Sequence, residues 1–253
     1  GGTGLLGIMH AEAIAEIGGV PVLFDRDSKN AKKIIKKIEE KYLIKSHFFK
    51  GDVTKEKDIR SLMKFMLKKK LKIYGLINNA ASNPPINKKK DNSLDIFSLK
   101  EWNIDLNVGL TGAFLCCKII GEKMSKNNKG VIINISSDLG LVSPDHRLYK
   151  QKDKIKQFKK PITYSVVKHG IIGLTKYLAT YWTKNNVRAN CLCPGGVYDN
   201  QEKKFINKVK KLIPMGRLAN KDEYKGAIQF MISDASSYMN GANLVIDGGR
   251  TIW

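Results

Sequence analysis

Gly2-Thr3-Gly4-Leu5-Leu6-Gly7 has the spacing G-x-G-x-x-G and runs straight into Leu6, Met9, Ala13 and Ile17, apolar residues at steps of three and four. That periodicity predicts a helix over 6–17, closed by Gly18-Gly19. Glycines at this spacing allow a tight turn and let a pyrophosphate approach the backbone N–H groups that open a helix. A short apolar strand over 20–24 follows and ends at Asp25, where a carboxylate can accept the hydroxyls of an adenosine ribose. The same carboxylate repels a 2'-phosphate, which favours NAD over NADP, while neighbouring Arg26 offsets part of that repulsion.

Outward from this loop, helix and strand patterns alternate. A Lys-rich helix with Ser28 as its N-cap is expected to about residue 42, then a strand over 44–49, a helix over 55–70 and a strand over 73–77. A polar loop over 81–97 leads to a long helix over 99–125, a buried strand over 131–135 and an unusually long loop over 138–162. A helix over 164–183, a strand over 187–192, a Pro-Gly-Gly break, two charged helices and a strand over 243–246 complete the chain. Strands separated by helices of this length specify an α/β fold: a Rossmann-type doubly wound parallel sheet in one domain spanning residues 1–253. Ligands of such sheets bind beyond the carboxyl ends of the strands. Because the glycine loop normally follows a strand, one central strand is expected to be missing, leaving a gap between the strands over 20–24 and 73–77 and a chain that is insoluble or unable to bind NAD.

The 253 residues carry 45 basic and 23 acidic side chains, a formal charge of +22. Of the basic residues 39 are Lys and six are Arg, and the Lys doublets are spread along the chain. Nucleic-acid readers lean on Arg for bidentate contacts, so the charge reads as a Lys-rich surface and no nucleic-acid partner is expected. No apolar run approaches the ~18 residues of a membrane span, so no membrane partner is expected either. Cys116, Cys117, Cys191 and Cys193 form an adjacent pair and a C-x-C, which fits neither a zinc site nor a disulfide framework. A reducing cytoplasm and no metal are the expectations.

Tyr164-Ser165-Val166-Val167-Lys168 puts a phenol and an ammonium four residues apart, on one helix face. A cation beside the phenol favours phenolate, and phenolate suits proton exchange at an alcohol. Val131 to Ser137 (V-I-I-N-I-S-S) carries hydroxyls at the end of a strand, and Asn78-Asn79-Ala80-Ala81 ends another. Asn107-Val108-Gly109 interrupts a helical stretch with two poor helix formers, the kind of local rule-breaking that accompanies sites.

Together these residues resemble the short-chain dehydrogenase/reductase family from the glycine loop to Asp247-Gly248-Gly249. The resemblance implies that Tyr164 is the general acid/base, that Lys168 lowers its pKa and binds the nicotinamide ribose, and that Ser137 hydrogen-bonds the reacting oxygen, with Asn107 holding a proton-relay water. Gly1, Thr3, Gly4, Leu5 and Leu6 would cradle the phosphates, and Asp25, Arg26, Asp52, Val53, Asn78 and Ala80 would line the adenosine side. Pro194, Gly195 and Val197 would close over the nicotinamide. A small-molecule substrate and a homodimer or homotetramer packed through two long helices are implied as well.

The chain departs from the family pattern in three places. The spacing from Gly1 to Gly7 also reads G-x-x-G-x-x-G, as in longer sugar-nucleotide members. Ser137 lies 27 residues ahead of Tyr164, a spacing that implies an insertion over about 145–160, expected to cover the substrate site. Asp199 stands where a Thr often follows the Pro-Gly loop. Within the family, Ser143-Pro144-Asp145-His146-Arg147, Leu178-Ala179-Thr180-Tyr181-Trp182 and Asp247-Gly248-Gly249-Arg250-Thr251-Ile252-Trp253 are similar to oxidoreductases of the flagellin-modification protein A type. That likeness implies a sugar or sugar-nucleotide substrate in surface-glycan biosynthesis, with His146 and Arg147 offered to a phosphate or carboxylate.

Overall fold

The computed structural model describes residues 1–82, 92–149 and 159–253. Much of the 138–162 loop and of the 81–97 loop lies outside them. The described elements alternate as expected: α1 (Leu5–Glu16), β1 (Val22–Asp25), α2 (Ala31–Tyr42), β2 (His47–Lys50), α3 (Glu56–Lys68) and β3 (Gly75–Asn78). Next, α4 (Leu99–Leu106), α5 (Gly112–Cys116) and α6 (Glu122–Lys126) run as one continuous helix, joined by π-helical stretches Asn107–Thr111 and Cys117–Gly121. Then come β4 (Gly130–Ile135), α7 (Ile162–Tyr181), β5 (Val187–Pro194), α8 (Lys203–Val209), α9 (Lys225–Ile232) and β6 (Asn243–Ile246).

All strand pairs are parallel, but they fall into two sheets, β1-β2 and β3-β4-β5-β6. The larger sheet is built on β4, whose Val131, Ile132, Ile133 and Ile135 are all buried. β-branched side chains pack well on a pleat with both faces covered. One face receives Ile120 and Met124 of the long helix and Leu178 of α7; the other receives Ile228 and Met231 of α9. Among the described residues no backbone hydrogen bond joins β1 to β3. A cleft of about 990 Å³, lined by Val22, Phe24, Gly75, Ile77, Ala113 and His10, separates them. This is the gap expected between those two strands. His10 is buried there with neither ring nitrogen hydrogen-bonded, and burial lowers its pKa to about 4.

Three expectations are corrected. The helix after β1 is flanked by Asn30 rather than capped by Ser28, and no side chain caps it. The second strand begins at His47 instead of Ile44, because Leu43 turns left-handed (φ 55°) and Ser46 N–H donates to Glu39 Oε1 before the chain extends. The stretch Leu99–Lys126 is long and apolar enough to cross a membrane by length and composition. Its apolar character has a local cause: Cys116, Cys117, Ile119, Ile120 and Met124 are core residues.

Candidate active site

The carboxyl ends of the strands form one edge, and the last paired residues mark it: Asp25 with Lys50, Asn78 with Asn134, and Pro194 with Ile246. On this edge Ser137 follows β4 directly, and α7 returns along the sheet carrying Tyr164 and Lys168. Ser136 Oγ donates to the Lys168 carbonyl at 2.7 Å, which fastens the strand end to the catalytic turn of α7. Asn134, wholly buried, donates to Thr175 Oγ1 at 2.9 Å and accepts from Asn78 Nδ2 at 2.7 Å, fastening α7 to β4 and β4 to β3.

Tyr164 stands close enough to Ser137 for the hydroxyl to act on it, while Ser137 Oγ itself donates to Asp138 Oδ1 at 2.6 Å. Lys168 lies one turn on, its Nζ 5.7 Å from the Tyr164 ring centroid and donating to the Ile135 carbonyl at 2.8 Å. Burial lowers the Lys168 pKa to about 8. Burial also raises Tyr164 above its usual value, and the nearby Ser137 hydroxyl pulls the other way. The Lys168 ammonium is directed at the Ile135 carbonyl, and desolvation of the phenol is the largest influence on Tyr164. Lys160, at the near end of the 145–160 insertion, stands 3.8 Å over the Tyr164 ring. Asn107 opens the first π-helical stretch, a distortion that often marks functional positions. There Gly109 packs so tightly on Val167 of α7 that a Cβ would collide with it.

On the nucleotide side, Gly4 caps α1 with no side-chain cap, so the first-turn N–H groups are left for an anion. Gly7 cannot carry a Cβ without striking the Gly1 carbonyl, and Gly1 itself presses on Ala80. Leu5 and Leu6 form the first turn of α1. Thr3 donates from N and Oγ1 to Asp25 Oδ2 at 3.0 and 2.8 Å. Burial pushes the Asp25 carboxyl up, but backbone donation from Asp27 and Thr3 wins and holds it at about 2. Arg26 is exposed beside it. Asp52 Oδ1 accepts from Thr54 N and Oγ1, both at 2.9 Å, and Val53 packs against Gly112 of α5.

Some assignments shift. The Asn78 side chain is taken up by Asn134 and by Cys117 Sγ, so it braces the sheet instead of facing adenosine. The neighbouring Asn79 reaches the loop, donating to the Gly1 carbonyl at 2.9 Å. Arg147 is bound by Asp145 through two contacts near 2.9 Å and does not stand ready for a phosphate. Pro194 ends β5, Gly195 N–H donates to the Ile246 carbonyl, and Val197 bridges Ala219, so this segment is held in place at the same edge. Asp199 lies beyond it, its N–H held by Gln201. Sequence reasoning did not find Asn79, Asp138, Lys160 or Arg250 as members of this site. Arg250 was visible only as part of the closing Asp-Gly-Gly-Arg.

A phenol with a lysine one turn away can exchange a proton with an alcohol, and the uncapped α1 N-terminus fits a dinucleotide's phosphates, the two ends of an NAD(P)-dependent oxidoreductase's site. The chain is related to enzymes of that class. It belongs to the short-chain dehydrogenase/reductase family: the family model described as enoyl-(acyl carrier protein) reductase matches residues 6–251. It is 30% identical over 257 residues to NADP-dependent mannitol dehydrogenase of Alternaria alternata, covering all of this chain and 89% of that one. It is 36% identical over 160 residues to D-threitol dehydrogenase of Mycolicibacterium smegmatis, covering 61% of this chain and 56% of that protein. Among solved structures, gluconate 5-dehydrogenase of Burkholderia cenocepacia, in complex with NADP and tartrate, superimposes with a TM-score of 0.85. That match is at 25% identity and covers 100% of this chain and 92% of the other.

Proposed function

We propose that the protein moves a hydride between NAD(H) and a secondary alcohol or ketone carbon of a small polyhydroxylated substrate, a sugar alcohol or sugar. The observation that carries this reading is Ser137 beside Tyr164 with Lys168 one turn away, its Nζ 5.7 Å from the phenol ring, at the strand edge that also holds the glycine loop. Relatives named for mannitol, threitol and glycerol support the substrate class. A nicotinamide bound here would supply the hydride acceptor for alcohol oxidation and the hydride donor for ketone reduction. In oxidation Tyr164 takes the hydroxyl proton, Ser137 orients the reacting oxygen, and Lys168 together with Asn107 carries the proton toward solvent. Thr3, Gly4 and the first turn of α1 would hold the phosphates, with Asp25 on the adenosine side favouring NAD.

A narrower reading, a sugar nucleotide in surface-glycan biosynthesis, rests on the 143–147 and 247–253 stretches alone. A homo-oligomer packed through the long helices fits the exposed Phe114, Tyr177 and Tyr181, with the two tyrosine rings stacked at 5.6 Å. A panel of polyols, aldonates, sugars and nucleotide sugars, each with NAD⁺ and NADP⁺ and followed at the nicotinamide absorbance, tests the reading. Turnover of at least one polyol or sugar with NAD⁺ is expected, and none across the panel would overturn it.

A further inference from the structure

Asp138 and Arg250 meet from opposite ends of the sequence beside the reacting groups. Arg250 Nε donates to Asp138 Oδ2 at 2.8 Å, and both side chains are nine-tenths or more buried. The turn that brings Arg250 back is rigid. Gly248 and Gly249 take positive φ (67° and 87°), Asp247 accepts from Gly249 N–H and Thr251 N–H, and Met215 N–H donates to the Gly248 carbonyl. The other carboxylate oxygen, Asp138 Oδ1, accepts from Ser137 Oγ at 2.6 Å and from Leu139 N–H at 2.8 Å. Ser137 Oγ gives its one proton to Asp138 and accepts from Leu139 N–H at 3.2 Å, so in this arrangement it has no proton for the Tyr164 oxygen beside it. The result is a buried chain running Arg250, Asp138, Ser137 that ends next to Tyr164.

We propose that Asp138 and Arg250 are a positioning pair: the carboxylate fixes which way the Ser137 proton points, and the guanidinium cancels the negative charge that Tyr164 would otherwise meet. The proposal rests on the reading of Tyr164 as the acid/base group. An ionised carboxylate one hydroxyl away from a phenol opposes phenolate, and a fixed cation at its far oxygen removes most of that opposition. Asp138 does raise Tyr164, while Arg250 is held against it. The other groups facing the phenol are Lys168 on its own helix, Lys160 from the segment ahead of α7 and Tyr149 from the turn His146–Tyr149. Asp105 of α4, held by Thr163 Oγ1, lines the small space beside it.

The two partners therefore act on Tyr164 with opposite sign, which a merely structural pair would not do. The test is a tyrosinate absorbance titration in which each background is read with and without Tyr164→Phe, so that the difference isolates one phenol and needs no substrate. Arg250→Gln is expected to raise the Tyr164 midpoint and Asp138→Asn to lower it, each by about half a pH unit or more, or threefold in the phenolate fraction. The basic limb of the kcat profile for alcohol oxidation should move the same way. Arg250→Lys and the double variant Asp138→Asn/Arg250→Gln, which leave no buried charge unpaired, should sit near wild type and guard against misfolding of the single variants. Shifts in the same direction, or none in folded variants, would overturn the pair. Full turnover in Tyr164→Phe would instead overturn the catalytic reading and leave the titration result standing.

Discussion

The two sheets differ in how they are secured. β4 is buried along its whole length and β5 nearly so, and their ends are tied to α7 by Asn134, Thr175 and Ser136. Among the described residues β1 and β2 bury little, pair with no other strand than each other, and face the larger sheet across the cleft. A two-stranded sheet is marginal without a third strand or a covering layer. The proton-transfer groups thus stand on the secured half. The groups assigned to adenosine stand on the half that depends on how the cleft is filled.

Removing the Tyr164 hydroxyl attacks the secured half. Tyr164→Phe should lower kcat by about 10² to 10⁴, the range of general acid/base catalysis, while the NAD dissociation constant stays within about threefold. More than a few per cent of wild-type turnover would show that another group handles the proton. Asn134→Ala should leave chemistry possible but loosen its support, since Asn78 Nδ2 loses its acceptor and Thr175 a donor. A loss of about 1 to 3 kcal/mol, read as a Tm several degrees lower, is expected.

Much of this was legible from local pattern. The final strand falls on the expected residues 243–246, and Asn107-Val108-Gly109 marks the start of a π-helical stretch, because two poor helix formers in an apolar helix are a local signal. The tyrosine and lysine on α7 were legible from their spacing only in company with the hydroxyls that end β4 and the family resemblance, because a tyrosine four residues from a lysine is common in a chain with 39 Lys. What the sequence hid depends on long-range partners. Whether Asn78 faces a ligand or a neighbouring strand is decided by Asn134, 56 residues away. The meeting of Asp138 with Arg250 is set by where the β6 turn returns, and no local pattern encodes that.

The smallest effect concerns the choice between NAD and NADP, and it separates two roles of one carboxylate. Asp25 holds Thr3 of the glycine loop by two hydrogen bonds and also places a negative charge at the end of β1. Because its folded pKa is depressed to about 2, the charge is present above the ordinary carboxylate range and fades only as pH falls toward that value. Asp25's share of the cofactor preference should accordingly be constant from mildly acidic to neutral pH, and any change over that range belongs to the 2'-phosphate, whose second ionisation falls at ~6. Asp25→Asn keeps an oxygen for Thr3 but drops the charge, so NADP should bind about tenfold tighter, ~1.4 kcal/mol, with NAD nearly unchanged. Asp25→Ala drops both, so the same gain for NADP should come with weaker binding of both cofactors as the loop loosens. Dissociation constants for each cofactor with the two variants distinguish these outcomes. If wild type already binds NADP more tightly, exposed Arg26 outweighs Asp25 at this strand end.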